Sequence, residues 1–177
     1  TRSKDLFKPI NLKNITMYVC GPTVYADPHV GNGRSLIVFD LLYRVLIKLY
    51  GLKNITYVRN ITDVDDKIIE TSKTKNIPIN KITSDVAKIF HSNVKDLNCL
   101  KPTIEPMATD HIKEMINMIE SLIEKNLAYA NNGHVYFLIS RFKNYGKLSN
   151  KKLDDLVAGS RVDISELKKN PLDFILW

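Results

Sequence analysis

The strongest constraint on the fold is the run from Ile15 to Ser35. It reads as a buried strand, then a loop of small, polar and ring residues, then the start of a long helix. Ile15, Met17 and Val19 alternate with Thr16, Tyr18 and Cys20, and the near-continuous apolar character predicts a central parallel strand covered on both faces. Cys20 then stands at the strand's carboxyl end, the edge at which open α/β sheets bind ligands. A strand that turns through glycine into a helix N-terminus is ready for an anion. Free N–H groups and the positive end of the helix dipole face the same point.

The helix is predicted over Gly31–Tyr50, with Leu36, Phe39, Leu42, Val45, Leu46 and Leu49 as a broad apolar face. Gly51 supplies a left-handed stop, and Asn54 to Arg59 reads as a second strand. Strand, helix and strand within about forty residues make a right-handed crossover unit, which places the chain in the α/β class.

Further elements follow in order. The acidic run Thr62-Asp63-Val64-Asp65-Asp66 leads a helix over 63–75. Asn80 is the expected cap of a helix over 81–97, striped by Ile82, Val86, Ile89 or Phe90, and Leu97. Residues 101–107 contain Pro102 and Pro106 and are extended. Thr109 caps a periodic helix that runs to Lys125 and ends at Asn126. Leu127 to Ile139 folds as a β-hairpin around Asn131-Asn132-Gly133. A short helix near 151–157 and a strand over the last five residues close the pattern, and an extended arm, docked by Phe7 and Ile10, precedes it.

Composition narrows the partners. A chain of 177 residues, 44% hydrophobic, supports one core and a small satellite unit, and 25% charged residues argue against disorder. Two cysteines in unlike contexts make no disulfide framework, which predicts a reducing, cytoplasmic setting. No apolar run approaches membrane-spanning length, so no membrane partner is expected. A net charge of +7 favours a polyanion such as RNA, and the abundance of lysine throughout offers a compositional explanation of the same charge.

The candidate site residues lie in the opening run. His29 precedes the helix and Asn32 falls in its first turn. An imidazole and an amide there either cap the turn or donate to phosphate oxygens during attack on phosphorus. Gly31 and Gly33 allow a ligand close to the backbone, but a third glycine and a Gly-Lys-Ser/Thr sequence are both missing, so neither dinucleotide fingerprint nor Walker loop is present. Cys20 is either a small buried hydrophobe or, beside the phosphate loop, a zinc ligand or nucleophile. The acids at 63, 65 and 66 either dress a helix N-terminus or bind a metal or amino group. Cys99 reads as packing, and His91, His111 and His134 carry no assigned role.

Two long blocks and a third, shorter one resemble a known family. Met17 to Tyr25 followed by His29 to Arg34, then Tyr57 to Ile69, then Asn170 to Trp177 resemble the N-terminal half of cysteinyl-tRNA synthetases. The resemblance implies a Rossmann-like class I synthetase catalytic fold, incomplete here, with an inserted α+β connecting segment. Residues 1–100 would be the first half of the nucleotide-binding domain, 101–169 the insertion, and 170–177 a return strand to the catalytic sheet. It implies that His29, Val30, Gly31 and Asn32 stand for the His-Ile-Gly-His signature that binds ATP, with Asn32 in place of the second histidine. It implies that Cys20 is the first zinc ligand and that Gly21, Thr23 and Thr62 shape the substrate pocket. The implied reaction activates L-cysteine with ATP, together with Mg2+, to cysteinyl-adenylate and transfers cysteine to tRNA(Cys). A soft-leaning Zn2+ separates thiol from hydroxyl without editing.

The family's other zinc ligands, its Lys-Met-Ser-Lys-Ser loop and its anticodon domain lie in a second half outside these residues. Thr1 in place of Met and a strand interrupted at Trp177 point to a trimmed sequence. The expected state is a monomer, and the 177 residues alone are expected neither to hold zinc tightly nor to charge tRNA. The rival readings are an ATP-dependent cysteine ligase with an amine acceptor and a truncated, non-enzymatic paralogue.

Overall fold

The computed structural model describes residues 4–150 and 167–177, so the expected helix near 151–157 lies outside the described residues. The chain divides into two units, one from Asp5 to His111 and one from Ile112 to Trp177 with the first four residues.

The first unit is built on a parallel pair, β1 (Ile15–Val19) and β2 (Ile55–Arg59), joined through α1 (Val30–Tyr50). Ile15 pairs with Ile55 and Val19 with Arg59, so both strands end level at the same carboxyl edge. Ile15, Met17 and Val19 pack with Ile55 and Tyr57 against Tyr43 and Leu46 of α1. Burying each such side chain contributes about 2 kcal/mol. The helix-facing stripe differs from the expected one. Leu36, Tyr43 and Leu46 are buried, whereas Leu42, Val45 and Leu49 stay exposed. Apolar residues surround α1 almost completely, so their period alone does not single out the buried side, and the tyrosine ring wins that face. The expected two-sided cover of β1 is also absent among the described residues. Tyr18 is 67% exposed, because α1 covers one face only. Gly51, at φ 84°, ends α1 as predicted.

Beyond β2 come α2 (Asp66–Lys75) and α3 (Ile79–Asp96). Pro78, not Asn80, occupies the position before α3, where its fixed φ suits a helix entry. Ile82, Val86, Phe90 and Val94 form the buried stripe of α3. Residues 101–107 are extended, and they run beside β2. Arg59 N–H donates to Ile104 O and Ile61 N–H to Pro106 O, which binds this stretch to the first unit. The first compact unit therefore extends to His111. In the leading arm, Phe7 meets Tyr50 edge-on at 6.4 Å, while Ile10 is fully exposed and does not dock.

The second unit carries α4 (Ile112–Glu124) and a three-stranded antiparallel sheet of β3 (Ala128–Asn131), β4 (His134–Phe137) and β5 (Phe174–Ile175). Asn132 and Gly133 both have positive φ, 48° and 80°, the geometry of a two-residue hairpin turn. The final strand was expected in the nucleotide-binding sheet, but it pairs with β4 instead, Phe137 opposite Phe174. Asp173 explains the docking. Its buried carboxylate accepts from Tyr129 Oη at 2.9 Å, Ile139 N–H at 3.1 Å and Asn170 N–H at 3.2 Å. Three donors offset the cost of burying that charge. Burial pushes the Tyr129 phenol up, and Asp173 adds to that shift. No helix among the described residues is long and apolar enough to cross a membrane.

Candidate active site at the carboxyl edge

Past Val19 and Arg59 the ladder of β1 and β2 breaks, then resumes one turn later. Gly21 N–H donates to Asn60 Oδ1 at 2.9 Å, and Asn60 Nδ2 donates to Thr62 Oγ1 at 3.2 Å. Thr62 N–H then reaches Pro22 O, and Val24 N–H reaches Thr62 O, so Thr23 and Thr62 lie side by side. Gly21 is required by this closeness. A Cβ there would sit 1.7 Å from Asn60 O. Val24, wholly buried with Ile61, Ile82 and Val86, anchors the loop from below.

The loop then delivers His29 to the start of α1. His29 is the N-cap residue, with extended backbone, and its Nδ1 accepts from Gly31 N–H at 3.0 Å. In return Asn32 Oδ1 accepts from His29 N–H at 3.0 Å. These two bonds settle the chemistry of both side chains. A backbone N–H only donates, so the Asn32 oxygen must face it, and the amide NH2 remains as a donor. Likewise Nδ1 is an acceptor, so the neutral imidazole carries its proton on Nε2. The two alternatives for His29, cap or phosphate donor, are thus compatible, one per ring nitrogen. Gly31 seats the ring, because a Cβ there would lie 2.8 Å from His29 Cε1. Gly33 meets only an ordinary contact with Leu97.

Two neighbouring hollows result. A cleft of about 240 Å3 is lined by Gly21, Thr23, Asp27, His29, Asn32 and Phe90, among others. A pocket of about 50 Å3 is lined by Cys20, Gly21, Asn32, Arg59 and Phe90, among others. Cys20 is exposed, not a buried hydrophobe. His29 also borders a larger, mostly apolar hollow of about 600 Å3 with Arg34, Ile37 and Leu97. The structure therefore brings Cys20, Gly21, Thr23, His29, Gly31 and Asn32 to one edge. Thr62 stands behind them, with its backbone in the ladder and its hydroxyl accepting from Asn60, and it lines neither hollow.

The acidic run serves the fold. Asp63 is buried and accepts from the Thr109 N–H at 3.0 Å and from the Thr109 hydroxyl. Asp65 caps α2, accepting from Lys67 N–H at 2.9 Å. Thr109, expected to cap α4, is thereby tied to the loop after β2 instead. Among the described residues no three His, Cys, Asp or Glu side chains converge as a metal site, so Cys20 is a single donor there. Zinc needs three or four such ligands, and the described residues do not by themselves fit it.

Sequence reasoning missed Asn60, Phe90 and the Arg59–Glu105 pair. One signal was available for Arg59. Strand alternation from Ile55 and Tyr57 puts it on the buried side, where a charge requires a partner.

The family model described as the tRNA synthetases class I (C) catalytic domain matches residues 6–177. The chain is 57% identical to the cysteine–tRNA ligase of Pelagibacter ubique over 98% of its own length and 38% of that protein's. It is 54% identical to the cysteine–tRNA ligase of Rickettsia bellii and 52% to that of Beijerinckia indica, covering 100% of this chain and 39% of each relative. The chain thus spans about two fifths of the length of the curated relatives it matches.

Proposed function

The chain belongs to the catalytic-domain family of class I (C) tRNA synthetases, and on that premise we propose that it forms the activating edge of an enzyme that joins cysteine to tRNA(Cys). Its α/β fold is that family's Rossmann-like catalytic fold. In this reading a carboxylate oxygen of L-cysteine attacks the α-phosphorus of ATP. The bond to the bridging oxygen breaks, and pyrophosphate leaves with its electron pair. A hydroxyl of the terminal adenosine of tRNA then attacks the acyl carbon of the adenylate, and AMP departs.

The residues divide the task. His29 Nε2–H and the Asn32 NH2 donate to phosphate oxygens as charge grows on them, fixed in advance by the reciprocal cap. The positive end of the α1 dipole adds to that field. Gly21 and Thr23 line the cleft in which the amino acid meets the nucleotide, and Thr62 holds Thr23 in place. Cys20 is the proposed first ligand of a zinc ion whose other ligands come from outside the described residues. Zinc there would supply a soft-leaning acceptor for the substrate thiolate, which a serine hydroxyl matches poorly.

The observation that carries the reading is the His29–Asn32 cap opening on a cleft that adjoins the Cys20 pocket. Cysteine-dependent exchange of labelled pyrophosphate into ATP, measured on the full-length protein that contains this chain, tests it. Exchange that requires cysteine and falls about 100-fold or more in His29→Asn is expected. Exchange that proceeds equally with serine, or not at all, overturns the reading. Exchange without transfer to tRNA overturns the second step alone.

A further inference from the structure

Helix α1 has three sides, and described residues occupy two of them. Leu36, Tyr43 and Leu46 face the core. Next to them, Asp40 Oδ1 accepts from Leu100 N–H at 2.7 Å, and Arg44 Nη2 donates to Asn98 O at 2.6 Å, so that side is fastened to the chain after α3. At 3.6 residues per turn, the third side is an arc of about 140° that holds Ile37, Val38, Leu41, Leu42, Val45 and Leu49. All six are exposed, Leu41 at 63% and Leu49 at 65%. Arg34 and Lys48 are the only charged residues in that arc. A surface helix keeps one apolar stripe and turns a polar face to water, whereas a helix apolar on opposite faces is buried on both. A contiguous exposed apolar stripe marks an interaction surface.

Three observations select its occupant. The chain covers 38% of the Pelagibacter ubique relative and 39% of the Rickettsia bellii one, so most of each relative lies outside the match. The sheet makes a second demand for cover on another side of the same unit. Tyr18 of β1 is 67% exposed, although parallel sheets carry cover on both faces. A single two-fold contact with a second copy seals one of these surfaces and leaves the other bare, while a continuing polypeptide reaches both. Charge also opposes self-pairing. Arg34 and Lys48 stand equally far from Leu41 in sequence. Two copies of α1 laid antiparallel about Leu41 would set Arg34 of each against Lys48 of the other, and such like-charge contacts are unfavourable.

We propose that the outer face of α1 is the seat of an apolar segment of the same polypeptide, from the part outside these 177 residues. The seat reaches the candidate site. Val30, within the His29–Asn32 cap, is 90% exposed, and Ile37 and Val38 border the apolar hollow that His29 also borders. The seated segment closes the outer side of that hollow and holds α1, with His29 at its start, against the sheet. The proposal goes beyond the activity and does not depend on it.

The test is thiol labelling of the full-length protein that contains this chain. Leu41→Cys and Leu49→Cys are compared with Lys53→Cys, which stands on the exposed turn after α1. Each is treated with iodoacetamide and read by peptide mapping, and the molecular mass is followed by sedimentation over a dilution series. Both α1 positions are expected to label about 100-fold or more slowly than position 53, at all dilutions and in a monomer, since labelling then requires local opening of a packed interface. Labelling as fast as at position 53 leaves the face open to water and overturns the proposal. Protection that disappears as a dimer dissociates assigns the face to a second copy and overturns it too. If Leu41→Cys does not fold, Val45→Cys, a smaller change on the same stripe, is read in its place. The readout needs neither ATP nor cysteine, so loss of the proposed activity reading leaves this proposal standing, and the reverse holds as well.

Discussion

The loops after β1 and β2 are hydrogen-bonded to each other, yet they spend their polar residues in opposite ways. After β1, Thr23, His29 and Asn32 line a cleft, and the His29–Asn32 cap leaves the imidazole Nε2–H and the amide NH2 as donors. After β2, Asn60, Asp63 and Asp65 are consumed in holding backbone. Asn60 grips Gly21 and Thr62, Asp63 grips Thr109, and Asp65 starts α2. One loop presents chemistry and the other braces it. A carboxylate-rich run is thus no sign of a ligand site when backbone N–H groups nearby need acceptors.

Four experiments test that division. The largest effect is expected where the two loops touch. Gly21→Ala forces a Cβ into Asn60 O, which a backbone shift must relieve, at a cost of about 3 kcal/mol. Urea unfolding of the 177-residue chain should show it, and a cost near zero would mean the two loops separate easily. Next, His29→Asn should separate cap from chemistry. Asparagine is a strong N-cap residue, so stability should hold within about 0.5 kcal/mol of wild type, while cysteine-dependent exchange falls about 100-fold. Equal losses in both would place His29 with the bracing loop. Asp63→Ala should do the reverse, lowering stability by about 1–3 kcal/mol through the unpaired Thr109 N–H and leaving KM for ATP and cysteine unchanged. A raised KM would move Asp63 into the site. The smallest effect concerns the thiols. Burial pushes the Cys99 thiol up, with Asp40 adding to it, and Cys99 is half-buried, whereas Cys20 is exposed. Since the thiolate is the reactive form, iodoacetamide near neutral pH should label Cys20 first. Labelling of Cys99 should catch up only as pH rises toward its raised value. Peptide mapping by mass spectrometry reads the order.

Legibility followed the range of the interaction. The strand from Ile15, the stop at Gly51 and the Asn132-Gly133 turn are local, set by side-chain alternation or by positive φ, and the sequence shows them directly. The position of His29 and Asn32 at a helix start was equally plain. The face that α1 buries was not, because apolar residues surround it and only the sheet selects among them. Nor was the destination of the last strand, since strand propensity does not name a partner and the Asp173 acceptors that fix it are reached through Tyr129 and Ile139.

By itself the sequence determined the β1–α1–β2 unit, the anion-ready start of α1 and, through its long blocks, the family. The tertiary structure alone decided that Asp63 belongs to Thr109, that Arg59 belongs to Glu105 and Phe90, and that Cys20 borders a pocket shared with Asn32 and Phe90. Those facts depend on which residues distant in sequence meet at one edge. Pairing of that kind is set by packing and by the need of buried polar groups for partners, and neither has a period that a linear reading can detect.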